Sequence, residues 1–82
     1  KVRFEKGRNF TGGNMDDFSD TIGHGTHVAG TIAAGGVNGG LLGVAPQAGI
    51  LMGKVCGDRG CSSVAIVNGL NWAIQEKVDV VN

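Results

Sequence analysis

The sequence predicts an α/β fold, because strand-like and helix-like segments alternate along the chain. Three observations support this prediction: apolar and charged residues alternate over 1–5, small and apolar side chains fill 24–34, and an apolar run covers 50–55. Strands separated by helices are typical of parallel sheets joined by right-handed crossovers. With 82 residues, the chain is short enough to be one small domain.

The first predicted strand covers residues 1–5, where Val2 and Phe4 alternate with charged side chains. Such alternation is typical of a strand with one exposed face. Residues 7–22 form a polar connection with a turn cluster at 11–14. This connection carries three acidic residues that either bind a cation or cap and solvate the loop: Asp16, Asp17 and Asp20.

The first predicted helix covers His24–Ala34. Asp20 and Thr21 precede it and can cap its free backbone N–H groups. Glycine is costly inside a helix, so Gly30 predicts that another segment packs closely against this helix.

The second half of the chain predicts a strand, a helix and a further strand. The run Ile50–Val55 is mostly apolar, as in a strand covered on both faces. The next helix is predicted to begin at Ser62 or Ser63, with a serine cap, and to end at residue 75 or 76. The residues at helical spacing that predict its buried side are Val64, Val67, Leu70 and Ile74, with Ile66 nearby and Trp72 and Ala73 extending it. Residues 78–81 are predicted as the last strand.

Charge and hydropathy favour neither nucleic acid nor a membrane as a partner. Seven basic and seven acidic residues give a formal net charge of zero. No apolar run is long enough to span a bilayer. Cys56 and Cys61 flank a short segment with glycine at both ends. They either form a disulfide, which a secreted enzyme would allow, or remain reduced thiols.

His24 is the residue in the first predicted helix that is best suited to proton transfer. An imidazole can accept and return a proton near neutral pH. Taken alone, His24 is better explained as a hydrogen-bonded histidine of the interior, and His27 is predicted to be one. A zinc site that combines both histidines with Cys56 and Cys61 is an alternative, although their spacing matches no recognisable zinc motif.

The run Gly23–Thr31, which reads Gly-His-Gly-Thr-His-Val-Ala-Gly-Thr, closely resembles the histidine motif of the subtilisin-like serine proteases, the subtilases. Further blocks resemble the same family in the same order: Gly43–Pro46 followed by Lys54-Val55, then Gly69–Ile74 and Asp79–Asn82. The resemblance covers residues 23–82, and residues 1–22 match only loosely. It implies that residues 1–82 are part of a catalytic domain truncated at both ends. The implied fold has three layers, with a mostly parallel central sheet and flanking helices.

This resemblance implies a serine endopeptidase that hydrolyses peptide bonds through an Asp-His-Ser triad, with His24 as the histidine. The family's Asp-Ser/Thr-Gly and Gly-Thr-Ser motifs are not in this sequence, so the 82-residue segment alone is expected to be inactive. Gly60, Cys61 and Ser62 are expected to form the strand edge that pairs with an extended peptide substrate.

The resemblance also implies a calcium site in loop 35–41, where many subtilases bind calcium through carbonyls and an Asn side chain. Asn38 is the candidate ligand, although it stands one position later than the family's Asn and Val37 takes the usual place. Secretion, protein or peptide substrates, a monomeric complete enzyme and no cofactor for catalysis are further expectations. The alternatives to a protease are a non-catalytic subtilase-like peptide-binding protein and a small zinc-binding module.

Overall fold

A computed structural model describes residues 2–82 of the chain. The elements of the described residues are, in order, β1 (Arg3–Asn9), α1 (His24–Ala33), the 3₁₀ helix η1 (Val37–Gly39), β2 (Gly49–Lys54), β3 (Cys56–Gly57), β4 (Gly60–Cys61) and α2 (Ser63–Gln75). The described residues divide into two compact units. Unit 1 contains residues 2–6 and 20–51, and unit 2 contains residues 7–19 and 52–82. The alternation of strands and helices agrees with the predicted α/β class.

β1 and β2 form a two-stranded sheet. At the start of β1, the Arg3 guanidinium donates a hydrogen bond to the carbonyl of Gln47, just before β2, at 3.3 Å. At the other end, the N–H of Phe10 donates to the carbonyl of Lys54 at 2.8 Å. The beginnings of β1 and β2 therefore lie side by side, and so do their ends. The two strands run in the same direction, as the strand–helix–strand order predicts. β1 reaches Asn9, four residues beyond the predicted strand; Lys1, which that prediction included, lies outside the described residues.

Residues 43–45, which follow the loop after α1, donate hydrogen bonds to the carbonyls at the C-terminal end of this helix. The last carbonyls of a helix have no partner within it. Here the N–H groups of residues 43, 44 and 45 donate to the carbonyls of Ala34, Thr31 and Ile32 at 2.7–3.0 Å. Gly43 is required for this approach, because a Cβ at that position would lie 2.5 Å from the backbone nitrogen of Ala33.

The prediction that a segment packs closely against Gly30 is wrong for the described residues. No atom outside the backbone of α1 lies within 4 Å of a Cβ built on Gly30. In unit 1 the close backbone approach occurs at Gly43 instead, next to the buried side chain of Ala33.

Unit 2 has its core around Trp72. This side chain is buried on α2 and packs against Phe10, with ring centroids 5.7 Å apart and ring planes at 60°. Tilted aromatic pairs of this kind are favourable. Gly69 lets α2 come close to the residue after β2, because a Cβ there would lie 2.8 Å from a methyl group of Val55.

The predicted bounds and cap of α2 are confirmed, whereas its predicted buried side is wrong. The helix covers Ser63–Gln75, and the Ser62 hydroxyl accepts a hydrogen bond from the N–H of Ala65 at 3.0 Å. Of the residues predicted to be buried, only Trp72 and Ala73 are; Val64, Ile66, Val67, Leu70 and Ile74 are exposed. The apolar spacing is helical, but no segment among residues 2–82 covers this face of α2.

Residues 78–81 do not form the predicted strand, and Val80 is 84% exposed. A strand needs a neighbour for its N–H and C=O groups, and none of the four strands in the described part of the chain pairs with this segment. β2 also differs from its prediction, since residues 50–54 are half-buried rather than covered on both faces. Within residues 2–82, no helix combines the length and the apolar character needed to cross a bilayer.

Candidate active site

His24 is the first residue of α1, and its side chain is exposed. The interior position that His24 alone would suggest is therefore wrong. An imidazole exposed at the beginning of a helix can contact a substrate and exchange protons with it. The residue before it, Gly23, has a φ of 100°, a conformation that favours glycine.

The carboxylate of Asp20 holds the first turn of α1 in place. One oxygen accepts hydrogen bonds from the N–H groups of Ile22 and Gly23 at 3.0 and 2.8 Å. The other accepts from the N–H of Thr26 at 2.8 Å and from the Thr26 hydroxyl at 2.5 Å. These bonds, chiefly that of the Thr26 hydroxyl and next that of the Gly23 N–H, hold the pKa of Asp20 well below its usual range. The predicted capping role of Asp20 is confirmed.

We expect Asp20→Ala to lower the melting temperature of the complete protein at neutral pH and to have a smaller effect in acid. The pKa of this carboxyl is lower in the folded than in the unfolded state. Its stabilisation is therefore complete above the unfolded pKa of 3.8 and is lost as pH falls below it. In thermal melts across this range, the difference between the two proteins should begin to shrink below about pH 4 and should continue to shrink as pH falls toward the folded pKa. A difference that persists unchanged in acid would contradict this role, and Asp79→Ala, at an exposed carboxyl near the end of the chain, is the matched control.

Asp17 agrees with one of the two alternatives given for the acidic residues, whereas the second histidine differs from its prediction. Asp17 accepts hydrogen bonds from the hydroxyl and the N–H of Ser19, which lower its pKa. Its carboxylate is thus used within the loop. His27 is exposed, so the prediction that its ring is hydrogen-bonded inside the fold is wrong. No segment among residues 2–82 buries the His27 side chain.

Cys56 and Cys61 form a disulfide, which decides between the two alternatives that their spacing left open. A disulfide-bonded cysteine has no thiolate to offer a metal, so the zinc module that needed both cysteines is not favoured. Among residues 2–82, no three His, Cys, Asp or Glu side chains come together to hold a metal ion.

The disulfide closes a hairpin made of β3 and β4. Cys56 lies opposite Cys61 and Gly57 opposite Gly60, which leaves residues 58–59 as a two-residue turn. The Cα atoms of the two cysteines are 4.0 Å apart. This separation is close to the value of about 4.5 Å for an antiparallel pair that exchanges no hydrogen bonds, and well below the value of about 5.5 Å for one that does. In such a pair the backbone N–H and C=O groups point away from the partner strand.

The backbone of Cys61 therefore faces the open side of β4. Its sheet has two strands in the described part of the chain, and β3 occupies the other side. Both residues of β4 are exposed. An unpaired edge of this kind can accept an extended peptide as a further strand. The sequence motif indicated which residues form this edge. The direction of the Cys61 N–H and C=O groups could be known only from the register in which β3 and β4 pair.

A cleft of about 300 Å³ lies beside this hairpin in unit 2. Its apolar wall is formed by Phe10, Val55 and Ala65, and its polar residues include Arg59 and Ser62. The Ser62 hydroxyl caps α2 and accepts a hydrogen bond there. The cleft itself was missed from the sequence, because Phe10 and the hairpin are more than forty positions apart.

Asn38 lies in η1 with the left-handed φ of 54° and is exposed. Loop 35–41 contains backbone carbonyls and this amide oxygen but no carboxylate, and the Val37 carbonyl already accepts from the N–H of Gly40 at 2.9 Å. Calcium takes about six to eight oxygen ligands, commonly including carboxylates. The loop by itself thus offers an incomplete set of calcium ligands.

The candidate site residues fall into two groups. His24 and Asn38 belong to unit 1, where His24 is the first residue of α1 and Asn38 lies in η1, after that helix. Gly60, Cys61 and Ser62 belong to unit 2, where they lie together at β4 and the cap of α2.

Comparison with known proteins agrees with the motifs. The model of the subtilase family matches residues 1–82. The major intracellular serine protease of Bacillus subtilis (strain 168) is 52% identical over 81 residues, which cover 93% of this chain and 25% of that protein. The intracellular serine protease of Paenibacillus polymyxa is 45% identical over 86 residues, which cover 100% of this chain and 26% of that protein.

Subtilisin E of Bacillus subtilis (strain 168) is 43% identical over 77 residues, which cover 93% of this chain and 20% of that protein. The chain thus spans about a quarter or less of the length of these relatives. Two of the three are named as intracellular, so the expectation of secretion is not confirmed. The family match extends over the whole chain and includes the motif that places an exposed histidine at the first position of α1: the chain belongs to the subtilase family.

Proposed function

We propose that this chain is the part of a serine endopeptidase that carries the histidine of an Asp-His-Ser triad. The observation that supports the proposal is the exposed His24 imidazole on a helical turn that Asp20 holds in place. The names of the relatives, which describe serine proteases, support the same class. The aspartate and the serine would be supplied by other parts of the complete protein, within a three-layer fold to which residues 1–82 contribute one partial domain.

In the proposed reaction, His24 accepts the proton of the serine hydroxyl as that oxygen attacks the scissile carbonyl. The same imidazole then donates the proton to the leaving amine. The aspartate would hold the ring in the required tautomer, and hydrogen-bond donors elsewhere would stabilise the oxyanion. Asp20 is not a candidate for the orienting acid, because both its oxygens are engaged by the helix turn.

The substrate backbone is proposed to pair with β4. The outward N–H and C=O of Cys61 provide one donor and one acceptor, with Gly60 and Ser62 on either side. Main-chain pairing binds a peptide whatever its side chains are, which suits an endopeptidase of broad substrate range.

We expect the double replacement Cys56→Ser with Cys61→Ser to raise KM in the complete protein several-fold and to change kcat less. Without the disulfide, the two-residue strands lose the link that holds the substrate edge in place. The loop that the disulfide closes is short, so the loss in free energy of unfolding is expected to be about 2 kcal/mol. Steady-state kinetics before and after reduction with dithiothreitol provide the measurement. The double variant should be insensitive to the reductant, and an unchanged KM would contradict the role of β4.

We also propose that Asn38 contributes one calcium ligand in the complete protein, together with carbonyls of loop 35–41 and ligands from outside this chain. The matched test is Asn38→Gly, because glycine adopts the left-handed conformation of Asn38 and removes only the amide. We expect a chelator to lower the melting temperature of the native protein more than that of the variant. Equal shifts would exclude Asn38 as a ligand.

The disulfide favours an oxidising compartment, and secretion is proposed on that ground. Mass spectrometry after thiol alkylation of the secreted and the cellular fractions tests it. Full alkylation of both cysteines in a protein found only inside the cell would overturn the proposal.

The experiment that tests the proposed function is turnover of a peptide anilide by the complete protein and by the 82-residue chain alone. We expect turnover from the complete protein and none from the chain, since only the histidine of the triad is present. Turnover by the isolated chain would overturn the triad assignment. Binding without cleavage by the complete protein would favour the non-catalytic alternative.

A further inference from the structure

We propose that Arg59 is a specificity-determining residue that favours substrates with an acidic side chain at the position nearest the turn of the β3–β4 hairpin. This inference rests on the proposed function and names a substrate preference for the same site. It goes beyond main-chain pairing, which does not distinguish one side chain from another.

The position of Arg59 in the hairpin brings it next to the substrate edge. It occupies the turn and directly precedes Gly60, the first residue of β4. Cys61, whose backbone groups face the open side, is two residues further on. A peptide that pairs with Cys61 must run along β4, and one of its side chains then lies near the turn.

Arg59 is also the side chain of the cleft with the largest number of available hydrogen-bond donors. The Thr11 hydroxyl donates to the side chain of Asn9, and the Ser62 hydroxyl caps α2. Arg59 is exposed, and none of the hydrogen bonds or ion pairs of residues 2–82 involves its guanidinium. A guanidinium has five N–H donors and binds a carboxylate through two of them at once.

The neighbouring carboxylate of Asp58 limits the size of the preference. Asp58 also lines the cleft, and it takes part in an interaction within the chain. Because Arg59 is exposed and a negative charge is adjacent, its contact with a substrate carboxylate is expected to be worth about a threefold change in kcat/KM. The contact is electrostatic, so the preference should weaken as salt is added.

The test compares pairs of peptide substrates that carry glutamate or glutamine at one position, scanned along the peptide on both sides of the scissile bond. With the complete protein, we expect kcat/KM to be about threefold higher for glutamate at one of these positions. Arg59→Gln should abolish this preference, and Arg59→Glu should reverse it. Lys77→Asn is the matched control, because it removes a positive charge away from the cleft and asparagine tolerates the φ of 56° at that position.

The outcomes separate this inference from the proposed function. If the glutamine peptides are cleaved but glutamate is favoured at no position, or if Arg59→Gln keeps the preference, Arg59 is not a specificity determinant. If neither peptide is cleaved by the complete protein, the proposed function itself fails. A preference lost equally in Lys77→Asn would assign it to overall charge and overturn the inference.

Discussion

Replacing His24 by alanine in the complete protein is expected to lower kcat for peptide hydrolysis by about 10⁶-fold. Without the imidazole, no base accepts the proton of the serine hydroxyl and no acid protonates the leaving amine. The fold is expected to remain, because the His24 side chain is exposed and makes no hydrogen bond within residues 2–82. Single-turnover kinetics on a peptide anilide, together with a thermal melt, measure both effects.

The matched control for this experiment is His27→Ala, on the same helix. His27 is exposed and lies one turn after His24. Its replacement removes an imidazole of the same size without touching the proposed catalytic group, so the loss of kcat should be far smaller. Equal losses for the two variants, or undiminished cleavage by His24→Ala, would overturn the assignment.

Gly43→Ala is expected to lower the free energy of unfolding of the complete protein by about 3 kcal/mol. The added methyl group would lie 2.5–2.6 Å from backbone atoms of residues 32–34, which are part of α1 or directly follow it and cannot move aside as a side chain can. Relief of the overlap would displace the segment that donates hydrogen bonds to the carbonyls of Ala34, Thr31 and Ile32. Urea unfolding of the two proteins measures the change.

Gly57→Ala is the control for Gly43→Ala. No atom lies within 4 Å of a Cβ built on Gly57, and its φ is not in the left-handed region. Its unfolding free energy is expected to change by no more than about 0.5 kcal/mol. If Gly43→Ala is as well tolerated as Gly57→Ala, the close approach at the end of α1 does not contribute to stability.

Local signals predicted the helices well. The small and apolar run after Asp20 predicted α1 and its capping, and the serine before an apolar helical pattern predicted the start of α2. These features depend on hydrogen bonds between residues no more than six positions apart. For the same reason, the histidine motif placed His24 at the first turn of a helix.

Burial was predicted less well, because it depends on segments distant in sequence. The apolar spacing of α2 was helical, yet the face that contains Val64 and Ile74 is exposed, and the buried residue is Trp72, which packs on Phe10. Residues 78–81 read as a strand but have no strand beside them in the described chain. Gly30 was expected to mark a close contact, and Gly43 is the residue that does.

By itself, the sequence determined the family of this protein, the position of its histidine and the extent of both helices, since each is encoded in short runs of adjacent residues. Only the tertiary structure decided that Cys56 and Cys61 are bonded, that the backbone of Cys61 faces the open side of β4, and that Arg59 lies beside a cleft with an apolar wall. Strand register and the packing of distant segments set these features, because a shift of one residue in the pairing reverses the direction in which every backbone and side-chain group points.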